Sequence, residues 1–380
     1  MSGGAIRGAA ITGIGIVSAA GESPEAHLAA LRARRGPVPD SETHPPFAFH
    51  AAADVDLERR VPKRSDRRQM EHWQLLGVTA AGDALEAAGL LGDVEAMARV
   101  ELHVAADGGG RDPEADAAVI GALAGMADWG PELNARLQRE LKPSSMLAQL
   151  PNMLGGNIAI VHGLGGGSRT FMGEETGGMQ ALAAALARIE AGQSAGLLVG
   201  GAYNVAPPDR ILALAIGGLL HEGPVVPVFD AGRRGIVPGA MSAFLMLEPA
   251  AAAAARGAPV LARLSGLVSS WTGPGGGSDL GPLAAALAGL AAGAAVPLAI
   301  SAASGMPARS QAELAAIRAA CPAAEIVALG DLAGHGMDAS FPAAVALAAL
   351  AVAAGDAPRV LVSGGAHWRG EAAALVEAAA

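Results

Sequence analysis

The chain runs through one pattern twice. Apolar strand-like runs alternate with alanine-rich helical runs from "AAITGIGIVSA" (Ala9 to Ala19) to "SAFLMLEP" (Ser242 to Pro249), and the alternation restarts at "VLARLSGLVSSW" (Val260 to Trp271). Strands separated by helical stretches call for sheets covered by helices, an α/β class. Two such units in succession predict two similar halves, 1–250 and 251–380, joined in "EPAAAAAARGAP" between Glu248 and Pro259. The first half offers strands at Ala9–Ala19, Val100–Gly110, Ser194–Asn204 and Ser242–Pro249, with helices at Met70–Leu91 and Gly178–Gly192. The second offers strands at Val260–Trp271, Ala295–Gly305 and Glu325–Asp331, with "PRVLVSGGA" (Pro358–Ala366) as the last. Helices at Gly281–Gly293, Ala312–Ala320 and Phe341–Gly355 separate them.

Composition narrows the function classes. Hydrophobic residues make up 52% and charged residues 16%, which supplies a large core and excludes disorder. Aromatics are 3% against 53 glycines, so the core is aliphatic and helices meet through small residues. A net charge of −10 with so few aromatics argues against a nucleic-acid binder. One cysteine, Cys321, allows no intramolecular disulfide and no cysteine-based zinc site, and a reducing cytoplasm is expected. The N-terminus lacks the layout of a signal peptide. Leu280–Ile300 is long and uncharged, but its alanines, glycines and flanking prolines read as a buried helix and strand, with no membrane span.

"GGGSRTFMGEETGGMQAL", Gly165 to Leu182, reads as a strand, a sharp turn and a helix start. Such a turn often carries a nucleophile; here its tip holds Glu174 and Glu175. The same dipole that favours a thiolate at a helix N-terminus favours a carboxylate, by about 0.3–1 kcal/mol at an exposed site. A buried carboxylate needs a cation, and His335 and Arg169 are the candidates. Three readings stay open: an ion-paired plug, a helix cap in contact with water, or new acid–base chemistry. His162 and His367 read as structural, and Cys321 as an ordinary partly buried thiol. No three of the nine histidines show metal-ligand spacing with carboxylates, so no metal site and no cofactor are expected. The runs "DGGG" (Asp107–Gly110) and "GPGGGSDLG" (Gly273–Gly281) lack the GK[ST] ending of a nucleotide-binding loop.

Several stretches together resemble the β-ketoacyl-acyl-carrier-protein synthases. They are "ITGIGIVSAAG", "KRSDRRQMEHWQLLGVTAAGDALEAAGL", "LPNMLGGNIAIVHGLGGGSRTFMGEETGGMQAL", "GLLVGGAYN", "PVFDAGRRGIVPGAMSAFLMLEP" and "LAGHGMDASFPAAVALA". The resemblance implies a thiolase-like five-layer αβαβα sandwich and a dimer. It also implies a nucleophilic cysteine where this chain has Glu175. The family's first histidine falls at Ala303 or Ser304, its second at His335, its lysine at Gly330 and the acid of its GEG turn at Ala240. The glycine-rich loop near the C-terminus survives only as "SGGAHWRG". A carboxylate cannot hold an acyl chain as a thioester, so the resemblance implies a non-condensing relative similar to the chain-length factors.

The implied partners are an active ketosynthase subunit and an acyl carrier protein, in fatty-acid, very-long-chain fatty-acid, polyketide or aryl-polyene synthesis. Ser168, Arg169, Thr170, Phe171 and Met172 fall on the strand that pairs across the family's dimer axis. The basic run "RRVPKRSDRRQ" holds Arg59 and Arg60 together with Lys63, Arg64, Arg67 and Arg68; the last four are the implied carrier-docking residues, with a solvated, internally paired helix start as the bland alternative. Two other functions stay open: an enzyme using Glu175 and His335, as malonyl-carrier decarboxylase or thioesterase, and a homodimeric carrier-binding module.

Overall fold

A computed structural model describes residues 8–109, 111–141, 147, 149–271 and 280–379. Gly110 and most of the Gly273–Gly281 run lie outside them. Ten strands run β1 Ala9–Val17, β2 Glu101–Ala105, β3 Ser168–Phe171, β4 Leu197–Tyr203, β5 Met241–Glu248, β6 Ala262–Ser270, β7 Leu298–Ser301, β8 Glu325–Ala328, β9 Arg359–Gly365 and β10 Glu371–Glu377. Their spatial order is β3-β2-β4-β5-β1-β6-β10-β9-β7-β8. Read outward from the centre, each set of five follows the same path, 1-5-4-2-3 and 6-10-9-7-8. In both, the strand last in sequence runs antiparallel to its neighbours. β1 and β6 join the sets along only three residue pairs, Ala9–Ile11 against Leu264–Ala262.

The helices that matter here are α1 His72–Ala87, α2 Asn152–His162, α3 Glu175–Glu190, α4 Gly281–Ala291, α5 Pro307–Ala320 and α6 Ser340–Ala353. α3 and α6 pack on each other and on strands of both sets, so they form the middle of five layers. Nearly all of α6, "SFPAAVALAALAVA", is buried, as its unbroken apolar sequence requires. α1 and α2 cover the first set from outside, and α4 and α5 cover the second. Around α3 and α6 lies an aliphatic core with Phe341 fully buried in it, and Phe244 is fully buried in the cluster under α1.

Small residues set the spacing. At Gly15 of β1 a Cβ would stand 1.9 Å from the Ala80 carbonyl oxygen, so "ITGIG" is what lets α1 lie on the strand. Where α3 meets the start of α6, a Cβ on Gly178 would stand 2.1 Å from the Asp338 carbonyl oxygen and 2.7 Å from Pro342.

The helical stretch Leu280–Ile300 resolves into α4 and β7 as expected, and among the described residues no helix is long and apolar enough to cross a membrane. One element differs. "PRVLVSGGA" is not the last strand, because "EAAALVE" forms β10 between β6 and β9. Its alanines read as helical by propensity, but burial on both faces and two ladder partners override that preference.

Gly178→Ala forces the two central helices apart against backbone, and thermal or denaturant unfolding should show a loss of about 1–3 kcal/mol, the usual cost of overpacking.

Candidate functional site

The turn between β3 and α3 is strained and held. Glu174 sits at φ 52°, ψ −130°, backbone that favours glycine. The Asp107 carboxylate, at the end of β2, accepts the N–H of Gly173 at 3.0 Å and of Glu174 at 2.9 Å. Thr176 donates its hydroxyl to the Gly173 carbonyl at 2.6 Å. The Glu174 side chain makes no capping bond to the helix, which removes the simple cap reading for it.

Glu175 begins α3 and is 3% exposed. Its Oε1 accepts the His367 backbone N–H at 3.0 Å and lies 3.2 Å from His335 Nε2. His367 Nδ1 lies 2.8 Å from Oε1 and 2.7 Å from Oε2. Burial alone would raise the Glu175 pKa; hydrogen bonds and charge from His335 and His367 outweigh it and hold the carboxyl well below the usual range. Burial opposes a charge on His367 too, but the Glu175 bond and the two glutamate charges raise its value above the ordinary imidazole one. The turn thus carries a buried pair of carboxylate and imidazole, each favouring the charged form of the other. Beyond it, His367 Nε2 stands 3.5 Å from Glu174 Oε2, and that carboxyl is 48% exposed.

The basic partners of Glu175 are therefore His335, as expected, and His367, which lies closer. Arg169 is exposed on β3 and makes no ion pair among the described residues, so it is not the partner of Glu175. Nor is His367 merely structural, since it binds Glu175 more closely than His335 does. A second buried acid fixes the segment that brings His367 in. Glu313 on α5 accepts the hydroxyls of Ser301 and Ser363 and the N–H of Gly365 at 2.7 Å. On the far side, the Arg369 guanidinium lies 4.5 Å from the Trp271 ring centre and 4.8 Å from that of Trp368.

The other expected positions are built into the packing. Ala303 is buried with Val228 and Ala328. Ser304 is buried and accepts the Met306 N–H at 3.3 Å. At Gly330 a Cβ would stand 2.8 Å from Val228, so the turn has closed over the place of the lysine. Ala240 is fully buried, and Cys321 is 6% exposed at the end of α5, far along the chain from the turn. Two residues went unread in the sequence: Asp107, which appeared only as the start of a glycine run, and Asp338. Asp338 is wholly buried beside the first turn of α3, and burial followed by the neighbouring Asp107 carboxylate pushes its pKa far up.

Removing one member of a buried pair strands the other. His367→Ala should destabilise the chain by about 3–5 kcal/mol in denaturant unfolding, whereas Glu175→Leu combined with His367→Phe should recover most of that loss.

Residues 7–253 match the family described as Beta-ketoacyl synthase, N-terminal domain. The 3-oxoacyl-acyl-carrier-protein synthase 2 of Vibrio harveyi is 26% identical over 266 residues, 67% of this chain and 61% of that protein. The tetracenomycin polyketide synthase ketoacyl synthase beta subunit of Streptomyces glaucescens is 30% identical over 292 residues, 72% of this chain and 66% of that one. The matches thus span under two thirds of those relatives' lengths. The ishigamide ketosynthase/chain length factor structure superposes with a TM-score of 0.78 at 21% identity, over 99% of this chain and 100% of that one. A β-ketoacyl synthase from Burkholderia phymatum does so with 0.78 at 20% identity, over 98% and 100%. The chain belongs to the β-ketoacyl synthase family, with a glutamate–histidine cluster where that family's cysteine is expected.

Proposed function

We propose that this chain is the non-condensing, chain-length-factor-like subunit of a ketosynthase pair, working with an active synthase and an acyl carrier protein in fatty-acyl, polyketide or aryl-polyene synthesis. The observation that carries this is the Glu175–His367 pair. It fills the place of the nucleophile with groups already bonded to each other, and it leaves no thiol at the turn. Ala303 offers no hydrogen-bond donor to an enolate, a loss that removes several kcal/mol of transition-state stabilisation. Two of the proteins reported above are named as a ketoacyl synthase beta subunit and a ketosynthase/chain length factor.

Pairing is supported by β3. It ends the sheet with one edge unpaired, and Ser168 and Arg169 are exposed along it. Met172 just beyond it is 60% exposed, and Ile160 on α2, which packs against β3, is 77% exposed. An open edge with apolar flanks favours a partner strand. The single, buried cysteine fits a reducing compartment, and we place the protein in the cytoplasm.

The basic run divides by its contacts. Arg59 and Arg60 bind Asp83, and Arg60 also binds Glu86. Arg67 binds Glu58 at 2.6 Å and the carbonyls of Val61 and Pro62. Lys63, Arg64 and Arg68 have no ion pair among the described residues and stand available for an acidic carrier. Arg67 then positions that surface more than it binds.

Native mass spectrometry of the chain co-expressed with a neighbouring ketosynthase should show a stable one-to-one heterodimer; a homodimer that ignores every synthase, or malonyl-carrier consumption by the purified chain alone, overturns the reading. Reversing charge at Lys63, Arg64 and Arg68 should weaken carrier binding at least fivefold at low salt, and an unchanged affinity would remove the docking role.

A further inference from the structure

Trp271, Trp368 and Arg369 form one stack beside the turn. Residues 367–369 are the tip of the hairpin between β9 and β10, closed where the Ala366 N–H donates to the Gly370 carbonyl at 3.1 Å. From this tip His367 reaches Glu175. Gly370 lies against α3, where a Cβ on it would stand 2.5 Å from the Thr176 methyl. Trp271 directly follows β6, whose Ser270 pairs with Glu371 of β10. The ladder brings Trp271 next to the hairpin tip, and the Arg369 guanidinium rests 4.5 Å from the Trp271 ring centre and 4.8 Å from that of Trp368.

Two properties of this stack serve no purpose inside the chain. Trp271 and Trp368 are 51% and 47% exposed, in a protein with only four tryptophans, and half-exposed indoles side by side mark a contact surface. The guanidinium, though partly buried, makes no hydrogen bond or ion pair among the described residues. The neighbouring acids are engaged elsewhere. Glu371 accepts the Ser270 hydroxyl at 2.6 Å and faces Arg309 at 3.7 Å. Glu175 is bonded to two histidines, and Glu174 stands 3.5 Å from His367 Nε2, feeling the Arg369 charge without touching it. Stacking fixes the guanidinium plane and leaves its N–H edge for a planar oxyanion, with less side-chain freedom to lose on binding. Tryptophan and arginine in one cluster are also the usual composition of an interface hot spot.

We propose that the Trp271–Arg369–Trp368 stack is a docking anchor for the acidic carrier, with Arg369 binding a surface carboxylate of that protein and the two indoles excluding water around the contact. The proposal rests on the carrier reading given above. The chain carries a net charge of −10, so its overall field repels an acidic partner. Docking then depends on the places where a cation is left unneutralised, and these fix the partner's orientation. Arg369 is such a place, distinct from Lys63, Arg64 and Arg68. Because His367 belongs to the same hairpin tip, a carrier seated on the stack lies beside the turn that holds Glu175.

The test is titration of the full chain with an acyl carrier protein, followed by calorimetry and by tryptophan emission. Arg369→Gln should weaken carrier binding about fivefold or more at low salt, and Arg369→Lys should recover little of it, because an ammonium lacks both the fork and the stack. Arg369→Gln should still unfold near the wild-type temperature, since the guanidinium makes no hydrogen bond within the chain. Carrier binding should shift the emission of the wild-type chain and leave that of Trp271→Phe combined with Trp368→Phe unshifted. Carrier affinity unchanged in Arg369→Gln overturns the proposal. So does a loss confined to assembly with the synthase, which would give the stack to the subunit interface. Charge reversal at Lys63, Arg64 and Arg68 is measured in the same assay. If it weakens binding while Arg369→Gln does not, only this proposal falls; a wild-type chain that binds no carrier removes the carrier reading with it.

Discussion

A carboxylate buried at the head of the central helix has to be matched by positive charge, and much of the site follows from that need. Glu175 is 3% exposed, in a layer with helices and strands on every side. Water cannot solvate it, so the protein brings His367 and His335 to it from the other half of the chain. The segment carrying His367 is itself fixed by Glu313, which is satisfied by two serine hydroxyls and a backbone N–H. The turn is held from its other side by Asp107. Glu175 and Glu313 are thus each answered by donors from a neighbouring element. Such a network gives a unique arrangement more than it gives net stability.

The same network is what the proposed absence of condensation rests on. A thiol at the turn would need open space above it for an acyl carbonyl. In this chain an imidazole stands 2.7 Å from the carboxylate that replaces it. The places of the other helpers have been refilled by packing, with Ala303 against Val228 and Gly330 under the same side chain. The layers and the edge strand stand beside a site filled by packing and by the Glu175–His367 contact.

Much of the fold was legible because it is written in period and punctuation. The repeated strand–helix alternation located both halves, and the Gly165–Leu182 stretch placed the turn, the helix and both glutamates. β10 escaped because "EAAALVE" has a helix former's composition, and only its ladder neighbours make it a strand. His367 escaped for a different reason. It lies 192 residues from Glu175, and no local spacing reports a contact closed by tertiary structure. The basic run was visible as charge, but its division into paired and free members depends on Asp83, Glu86 and Glu58, which only the folded chain brings near.

The duplicated path of the strands has one more consequence. It places the starts of α3 and α6 side by side, so close that Gly178 touches the backbone at Asp338. Two positive helix ends then converge on one small volume, and each favours anions there. A position so biased discriminates among replacements before any selection for function acts. An acid arriving at residue 175 inherits a field already built for a thiolate, whereas a neutral amide gains far less from it and a lysine would be opposed. The repeated strand path, by setting the two helices in this relation, limits which residues suit the first position of α3.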